Sequence, residues 1–324
     1  MSEPNSKHPY LDSVAKNFLE NLNSTNKAIY EMTADESREF LKNIQKKYYK
    51  NIEADTQDIE ISDPDMGEIS LKLVRPVNST SEQELPLIIY CHGGGWVMGD
   101  SDCYEMTIKT IANYTNSAVV FINYSRAPEF QYPTAFNQVY SVLEYFSQNG
   151  SDYKINPHKI AIMGDSAGGN LAAATAIRTK LEGGPEILFQ VLIYPVTDAD
   201  MKTDSYSEFK DGPWLSKKAM EYFWDSYLPE KDKRKDIYVS PLKSEIKHLN
   251  GIAPALIITS ENDVLRDEGE AYARKLIEAG VDTACVRMNN TFHDFILLNG
   301  LRESRAVKST YKLIGEMLKH TLHK

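Results

Sequence analysis

Cysteine is scarce in this 324-residue sequence. Cys91, Cys103 and Cys285 are an odd number of thiols without metal-ligand spacing, so we expect reduced cysteines rather than a disulfide framework. Only His320 and His323 among the seven histidines lie close together, and no acid or thiol joins them as a further ligand. The sequence therefore predicts no metal site.

Long apolar runs and an excess of positive charge are also missing. No run approaches the roughly 20 residues that a transmembrane helix needs, and residues 1–5 lack the basic and apolar regions of a signal peptide. The 36 basic residues are outnumbered by 46 acidic ones, which gives a formal net charge of −10. This balance argues against nucleic acids and anionic membrane surfaces as partners. We expect a cytoplasmic protein without stable membrane insertion.

Short apolar segments alternate with helical patterns along most of the chain. Segments 57–62 and 69–74 alternate apolar and polar residues, which is typical of half-exposed antiparallel strands. Further strands are predicted at about 87–91, 118–123, 159–163, 188–194, 255–260 and 283–288. Because helical stretches separate these later strands, the pattern predicts an α/β fold with a mostly parallel, eight-stranded sheet flanked by helices.

Two regions lie outside this alternation. Residues 11–22 and 34–48 have the pattern of amphipathic helices, and residues 198–240 contain no clear strand but many aromatic side chains. We interpret most of these aromatics as helix–sheet packing. Four aromatic residues in or near this segment are candidates for the wall of a substrate pocket: Tyr194, Phe209, Trp214 and Phe223.

The segment Gly164-Asp165-Ser166-Ala167-Gly168 fits the Gly-x-Ser-x-Gly pattern of a nucleophile elbow. A short apolar strand precedes it and an Ala-rich helix follows it, which is the context that the motif requires. The turn strains the serine backbone, and the glycines leave room around it. The alternative is an ordinary β–α turn with an N-capping serine. We predict Ser166 as the nucleophile.

A serine nucleophile needs a general base and an orienting acid. Among the later histidines, His293 follows the strand at 283–288 after a short link, residues 289–292, whereas His248, His320 and His323 lie in polar or Lys-flanked segments. We therefore predict His293 as the base. Asp263 follows the strand at 255–260 and is the predicted acid, with Glu261 as the alternative; Asp267 and Glu268 open a helix, where acidic residues are common.

A glycine run predicts the oxyanion hole. The strand at 87–91 leads into His92-Gly93-Gly94-Gly95-Trp96, and successive glycines let backbone N–H groups face a reacting carbonyl oxygen. Such His-Gly-Gly-Gly loops act together with the N–H of the residue after the serine. The predicted donors are Gly93, Gly94 and Ala167. The alternative, a phosphate cradle, lacks the Lys-Ser/Thr that would follow it.

These motifs resemble the hormone-sensitive-lipase-like carboxylesterases of the α/β-hydrolase fold. The matching segments are His92–Trp96, Asn123-Tyr-Ser-Arg-Ala-Pro-Glu129 with Tyr132-Pro133, Gly164-Asp-Ser-Ala-Gly-Gly-Asn170 and Asp263-Val-Leu-Arg-Asp-Glu-Gly269. Asp165 resembles the branch of the family with an acidic elbow. The family usually has Gly-Phe after its catalytic histidine, whereas this chain has Asp294-Phe295, a departure that bears on the local loop geometry and on the pKa of the base.

The resemblance implies a serine esterase that hydrolyses short- to medium-chain carboxylic esters through an acyl-enzyme and needs no cofactor. It implies N-terminal cap helices in residues 1–50 and a catalytic domain in residues 51–324, with a cap insertion at about 198–240. The expected partner is a small-molecule ester. Some relatives dimerise through an edge strand, so a homodimer is an alternative to a monomer.

Two other functions remain open at this level. An amidase or aryl-formamidase uses the same scaffold and a similar His-Gly-Gly-x-Trp loop, and a panel of ester and amide substrates distinguishes it from an esterase. A non-catalytic ligand-binding member of the fold is the second alternative. Such members lack the catalytic histidine, whereas Ser166, Asp263 and His293 are all present here.

Overall fold

The computed structural model describes residues 10–22 and 27–324. Residues 1–9 and 23–26, which belong to the predicted N-terminal region 1–50, lie outside the described residues. Eight strands form one sheet: β1 (Ala54–Asp63), β2 (Gly67–Pro76), β3 (Leu85–Cys91), β4 (Ala118–Asn123), β5 (Ile155–Asp165), β6 (Phe189–Ile193), β7 (Ala255–Asn262) and β8 (Thr283–Phe292). Their order is β1-β2-β4-β3-β5-β6-β7-β8. Only the β1–β2 and β2–β4 pairs are antiparallel.

Helices occupy most of the connections between the strands. They are α1 (Ser13–Leu22), α2 (Ala34–Lys47), α3 (Ser101–Thr115), α4 (Thr134–Asn149), α5 (Ala167–Glu182), α6 (Asp204–Glu208), α7 (Lys217–Tyr227), α8 (Ile246–Leu249), α9 (Arg266–Glu278) and α10 (Arg305–Leu322). Short 3₁₀ turns lie at Ile29–Glu31, Gly150–Tyr153, Lys231–Lys235, Pro241–Lys243 and Asn299–Leu301. In the described part of the chain, no helix has both the length and the apolar character needed to span a bilayer.

The central parallel strands form the core of the molecule. Every residue of β3 and β6 is buried, and both strands are almost entirely apolar, as expected for strands covered on both faces. Parallel strands bring their carboxyl ends to one edge of the sheet. The segments that follow β3, β5, β7 and β8 therefore meet at that edge.

The predicted α/β-hydrolase fold is confirmed, but one predicted boundary is wrong. Residues 289–292 are not a link after the last strand, because β8 continues through them to Phe292. The pairing of β7 with β8 shifts register after Ser260, so that Asn262 lies opposite Phe292. Asn290 has a φ of 66°, a backbone conformation that asparagine adopts more readily than most residues. This irregularity breaks the alternation from which the boundary was predicted.

Aromatic contacts join the N-terminal helices, the 198–240 segment and the carboxyl edge of the sheet. Trp214 packs against Phe40 of α2 and Phe18 of α1, with ring centroids 6.3 and 6.2 Å apart. Trp96, in the loop after β3, stacks on Tyr227 of α7 at 4.3 Å. These two helical regions thus lie against the same edge at which the loops after the strands meet.

The close approach of the start of α5 to β3 can be tested by a substitution at Gly168. A Cβ atom on Gly168 would overlap the backbone carbonyl of Cys91, which cannot move without disrupting the sheet. We expect Gly168→Ala to lower the free energy of unfolding by about 3 kcal/mol or more, measured by urea denaturation.

The matched control is Gly183→Asn at the other end of α5. Gly183 has a φ of 68° but open space around its Cβ position, and asparagine tolerates this conformation. Nearly wild-type stability is expected for this control. Equal stability of the two variants would contradict the close-packing argument.

Candidate active site

Ser166 lies in the sharp turn between β5 and α5. Its φ and ψ are 54° and −119°, a strained conformation for a residue with a side chain. The Ser166 amide donates to the carbonyl of Ile193 in β6 at 2.8 Å, and its carbonyl accepts from Val196. The turn is therefore fixed by the neighbouring strand, and the backbone strain is maintained by surrounding structure.

His293 links Ser166 to Asp263. The Nε2 atom of His293 lies 2.8 Å from the Ser166 Oγ, and Nδ1 lies 2.7 Å from Oδ2 of Asp263. Because a carboxylate only accepts hydrogen bonds, Nδ1 carries the donated proton, and in the neutral imidazole Nε2 is then free to accept from the serine. Asp263 is held by a hydrogen bond from the Leu265 amide to its Oδ1. The three residues form one hydrogen-bonded chain that can move a proton from the serine.

Several charges share this buried space, and they shift each other's pKa values. Burial lowers the pKa of His293, but the carboxylates of Asp263 and Asp294 outweigh this effect and raise it to about 9. Burial and the proximity of Asp294 raise the pKa of Asp165 to about 7, against the opposing hydrogen bonds from tyrosines. Burial also raises the pKa of Asp294. The negative charge of Asp263 and Asp294 therefore favours the imidazolium form of His293.

The prediction of Gly93 as an oxyanion donor is contradicted by its hydrogen bonds. The Gly93 amide donates to the hydroxyl of Tyr104 at 2.8 Å and to Oδ1 of Asp165 at 3.1 Å. Tyr104 and Tyr90 in turn donate to the Asp165 carboxylate at 2.8 and 2.9 Å. An amide that is bonded to this buried network is not free to bind a reacting oxygen. The sequence could not show this, since it depends on how Asp165 and Tyr104 meet beneath the loop.

Gly95 takes the place of Gly93 in the oxyanion site that we propose. Gly94 and Gly95 have φ values of 91° and 63° and line the cavity in front of Ser166. Their amides have no backbone or side-chain partner within residues 10–22 and 27–324. Ala167 begins α5, where amides have no intrahelical partner. The three amides of Gly94, Gly95 and Ala167 are therefore the available donors.

A cavity of about 410 Å³ opens onto Ser166 and His293. Trp214 and Phe223, two of the four predicted pocket aromatics, line it. Tyr194 and Phe209 do not, so these two predictions are wrong. Tyr194 is buried against the His293 ring, with centroids 4.7 Å apart, and Phe209 is buried with the Arg266 guanidinium over its ring.

The cavity wall also contains residues that sequence reasoning did not select. They come from α1, α2, the loop after β3, α7 and the segment after β8: Leu19, Phe40, Leu41, Met98, Met220 and Leu297. The amphipathic pattern of the first two helices predicted that one side of each helix is buried, but it did not predict that this side lines the cavity. Asp294 also lines the cavity. Its signal in the sequence is that it stands where the family usually has glycine.

The alternative acids lie elsewhere. The carboxylate of Glu261 accepts from the Asn290 amide at 2.7 Å, and Asp267 accepts from the Ser205 amide at 2.7 Å. Glu268 is buried and accepts from the amides of Thr197 and Asp198. None of these three contacts His293. Among the described residues, no cluster of three or more His, Cys, Asp or Glu side chains is arranged to hold a metal ion.

The sequence is also similar to those of known proteins. Residues 88–297, well over half of the chain, match a family described by the alpha/beta hydrolase fold. The chain is 37% identical over 309 residues to a putative alpha/beta hydrolase, R526, of Acanthamoeba polyphaga mimivirus, covering 95% of this chain and 88% of that protein. It is 34% identical to the carboxylic ester hydrolase LipN of Mycobacterium tuberculosis, covering 83% of this chain and 71% of LipN.

A solved structure agrees with the whole described architecture. The chain is similar to a thermostable esterase from Pseudomonas putida, with a TM-score of 0.92 and 37% sequence identity. The superposition covers 97% of this chain and 98% of that one. At this identity and coverage, the two chains share the fold.

The raised pKa of His293 predicts an alkaline limb in the pH profile. A general base must be neutral to accept the serine proton, so kcat/KM for an ester should rise as the pH increases through about 9. Asp294→Asn removes one carboxylate that raises this pKa, and the limb should then move to lower pH. Asp211→Asn, an exposed carboxylate at the cavity, is the control and should leave the limb in place. An Asp294→Asn limb unchanged from wild type would contradict the assigned charge interaction.

Proposed function

Because this chain belongs to the hormone-sensitive-lipase-like carboxylesterases of the α/β-hydrolase family, we propose that Ser166, His293 and Asp263 are its catalytic triad. The protein is a serine carboxylesterase. We further propose that it acts on esters with short to medium acyl chains. The single observation that carries the triad is the chain of hydrogen bonds from Ser166 Oγ through His293 to Asp263, at 2.8 and 2.7 Å.

The proposed reaction begins with attack of the Ser166 hydroxyl on the ester carbonyl. His293 accepts the hydroxyl proton at Nε2, and Asp263 stabilises the imidazolium that forms. The carbonyl oxygen becomes an oxyanion, which the amides of Gly94, Gly95 and Ala167 stabilise by hydrogen bonds. His293 then gives its proton to the leaving oxygen, and the alcohol departs from the acyl-enzyme.

Water completes the proposed cycle. It approaches from the side that the alcohol has left, gives a proton to His293 Nε2 and attacks the acyl carbonyl. The same three amides hold the second oxyanion. Collapse of this intermediate returns the proton to Ser166 and releases the carboxylic acid. Every proton in this scheme passes through one nitrogen of His293.

The size and lining of the cavity support small esters as substrates. Its volume of about 410 Å³ lies toward the lower end of the range for small-molecule sites. Apolar side chains such as Phe40, Met98, Leu215 and Phe223 form much of its wall and suit an aliphatic acyl chain. Nothing in the comparisons favours an amidase, since LipN and the Pseudomonas putida protein are both named as ester-hydrolysing enzymes.

The remaining parts of the proposal concern organisation and surroundings. Residues 1–50 and about 198–240 are proposed to form a cap, supported by the contact of Phe40 and Trp214 beside the cavity. A cytoplasmic location is supported by the three unpaired cysteines, and the lack of a nucleic-acid partner by the net charge of −10. A homodimer through one of the two edge strands, β1 or β8, is the proposed alternative to a monomer.

A series of p-nitrophenyl esters from acetate to palmitate tests this function. We expect kcat/KM to be highest for a short or medium acyl chain and to fall for the longest ones, because a long chain exceeds the cavity. Ser166→Ala should lose at least about 10⁴-fold in kcat with each ester. Circular dichroism establishes that this variant is folded. Retained turnover by folded Ser166→Ala would refute the nucleophile, and a maximum at palmitate would refute the chain-length range.

A further inference from the structure

Asp294 places a carboxylate inside the catalytic cavity. It follows His293 directly, has a φ of 65° and is buried, with a residue exposure of 8%. Its Oδ2 accepts a hydrogen bond from the Trp214 indole Nε1 at 2.7 Å. Trp214 itself packs against the rings of Phe18 and Phe40. The carboxyl group is therefore held in a fixed orientation by a side chain from the proposed cap.

The other oxygen of this carboxylate has no hydrogen-bond donor. Within the described ranges, Oδ1 of Asp294 is buried without a hydrogen-bond partner and lies 3.5 Å from Nε2 of His293. Asp165 and Asp263 are the other carboxylates in this buried space, and neither can donate when ionised. Lys210 and Lys218 line the cavity but are exposed, and neither forms an ion pair with Asp294.

Oδ1 of Asp294 has the fewest possible donors when His293 is neutral, which is the form that acts as the general base. When His293 is protonated, its Nε2–H lies near Oδ1 and offsets the negative charge. In the neutral form that accepts the serine proton, Nε2 carries no hydrogen and cannot donate a hydrogen bond to Oδ1. A buried carboxylate oxygen without a donor is unfavourable, so a donor brought by the substrate is strongly preferred at this point.

The position of Oδ1 indicates which part of the substrate it would meet. In the proposed reaction, His293 Nε2 gives its proton to the leaving oxygen, so the alcohol part of the ester must lie beside Nε2. Asp294 Oδ1 is 3.5 Å from that same atom. Groups on the first carbons beyond the leaving oxygen are thus within reach of Oδ1. The acyl chain, in contrast, extends from the carbonyl carbon bound to Ser166.

We propose that Asp294 is a specificity-determining residue whose free Oδ1 accepts a hydrogen bond from a hydroxyl or ammonium group on the alcohol part of the ester. The preferred substrates are then monoesters of diols, polyols or amino alcohols rather than of simple alkanols. This inference rests on the proposed function, because it takes the leaving oxygen to be the one that His293 protonates. It concerns the substrate's alcohol and leaves the acyl preference unchanged.

Two pairs of nearly isosteric acetates test the proposal. The first pair is 2-hydroxyethyl acetate and propyl acetate, which differ by a hydroxyl in place of a methyl group. The second pair is 2-(dimethylamino)ethyl acetate, assayed at a pH at which its amine is protonated, and 3-methylbutyl acetate. Within each pair, the measured quantity is the ratio of kcat/KM for the donor-bearing ester to that for the alkyl ester.

The ratio is compared among wild type, Asp294→Gly and Asp294→Asn. Glycine adopts the φ of 65° without strain, and asparagine keeps an acceptor for Trp214 while it removes the charge. We expect both wild-type ratios to exceed one and to fall about 10-fold or more in each variant, with the larger fall for the ammonium pair. Any effect of the substitution on His293 itself cancels, because both esters are measured on the same variant.

Asp211→Asn is the matched control, since it removes an exposed carboxylate from the lining of the same cavity. Its ratios should equal those of wild type. Ratios that stay unchanged in Asp294→Gly and Asp294→Asn would overturn the proposal, as would an equal fall in Asp211→Asn. If one Asp294 variant does not fold, the other decides. Turnover of propyl acetate with unchanged ratios refutes only this inference, whereas turnover of none of the four esters refutes the proposed function as well.

Discussion

The close approach of the β5–α5 turn to the end of β3 is the constraint on which the site depends. Neither Gly164 nor Gly168 has space for a Cβ atom, because the backbones of Gly168 and Cys91 occupy it. This packing holds Ser166 in a conformation that an isolated chain would rarely adopt. It also brings the start of α5 against Cys91 and His92, next to the loop in which Gly94 and Gly95 line the cavity. This single backbone contact thus positions the proposed nucleophile next to the loop that supplies two of the proposed oxyanion donors.

Buried charge is the second organising feature. Asp165, Asp263, His293 and Asp294 are all buried in one space, where each carboxylate raises the pKa of the histidine or of another acid. Asp165 is stabilised by two tyrosine hydroxyls and an amide, and Asp263 by the imidazole and the Leu265 amide. Among the described residues, the indole of Trp214 is the one hydrogen-bond donor to the Asp294 carboxylate. This unequal distribution of donors marks Asp294 as the carboxylate with an acceptor left for a substrate.

Sequence patterns predicted the elements of the site better than its interior. Ser166, Asp263 and His293 each follow a strand whose apolar run is visible in the sequence, and the rule that parallel strands end at one edge brings them together. The prediction failed for Gly93, because the direction of an amide depends on the buried Tyr104 and Asp165. It failed for Tyr194 and Phe209, because periodicity does not distinguish an aromatic beneath a site from one lining it. Residues 289–292 were wrongly predicted as a link after the last strand, because the register shift between β7 and β8 has no signal in the composition of the sequence.

The most direct measurement of the central claim is a crystal structure of the protein inactivated by a short-chain p-nitrophenyl alkylphosphonate. The adduct mimics the tetrahedral intermediate, so its phosphoryl oxygen reports which amides bind the oxyanion. We expect phosphorus bonded to Ser166 Oγ and a phosphoryl oxygen within about 3 Å of the amides of Gly94, Gly95 and Ala167. The Gly93 amide should stay bonded to Asp165 and Tyr104. A phosphoryl oxygen bound to the Gly93 amide, or phosphorus on another residue, would contradict the proposed nucleophile and oxyanion donors.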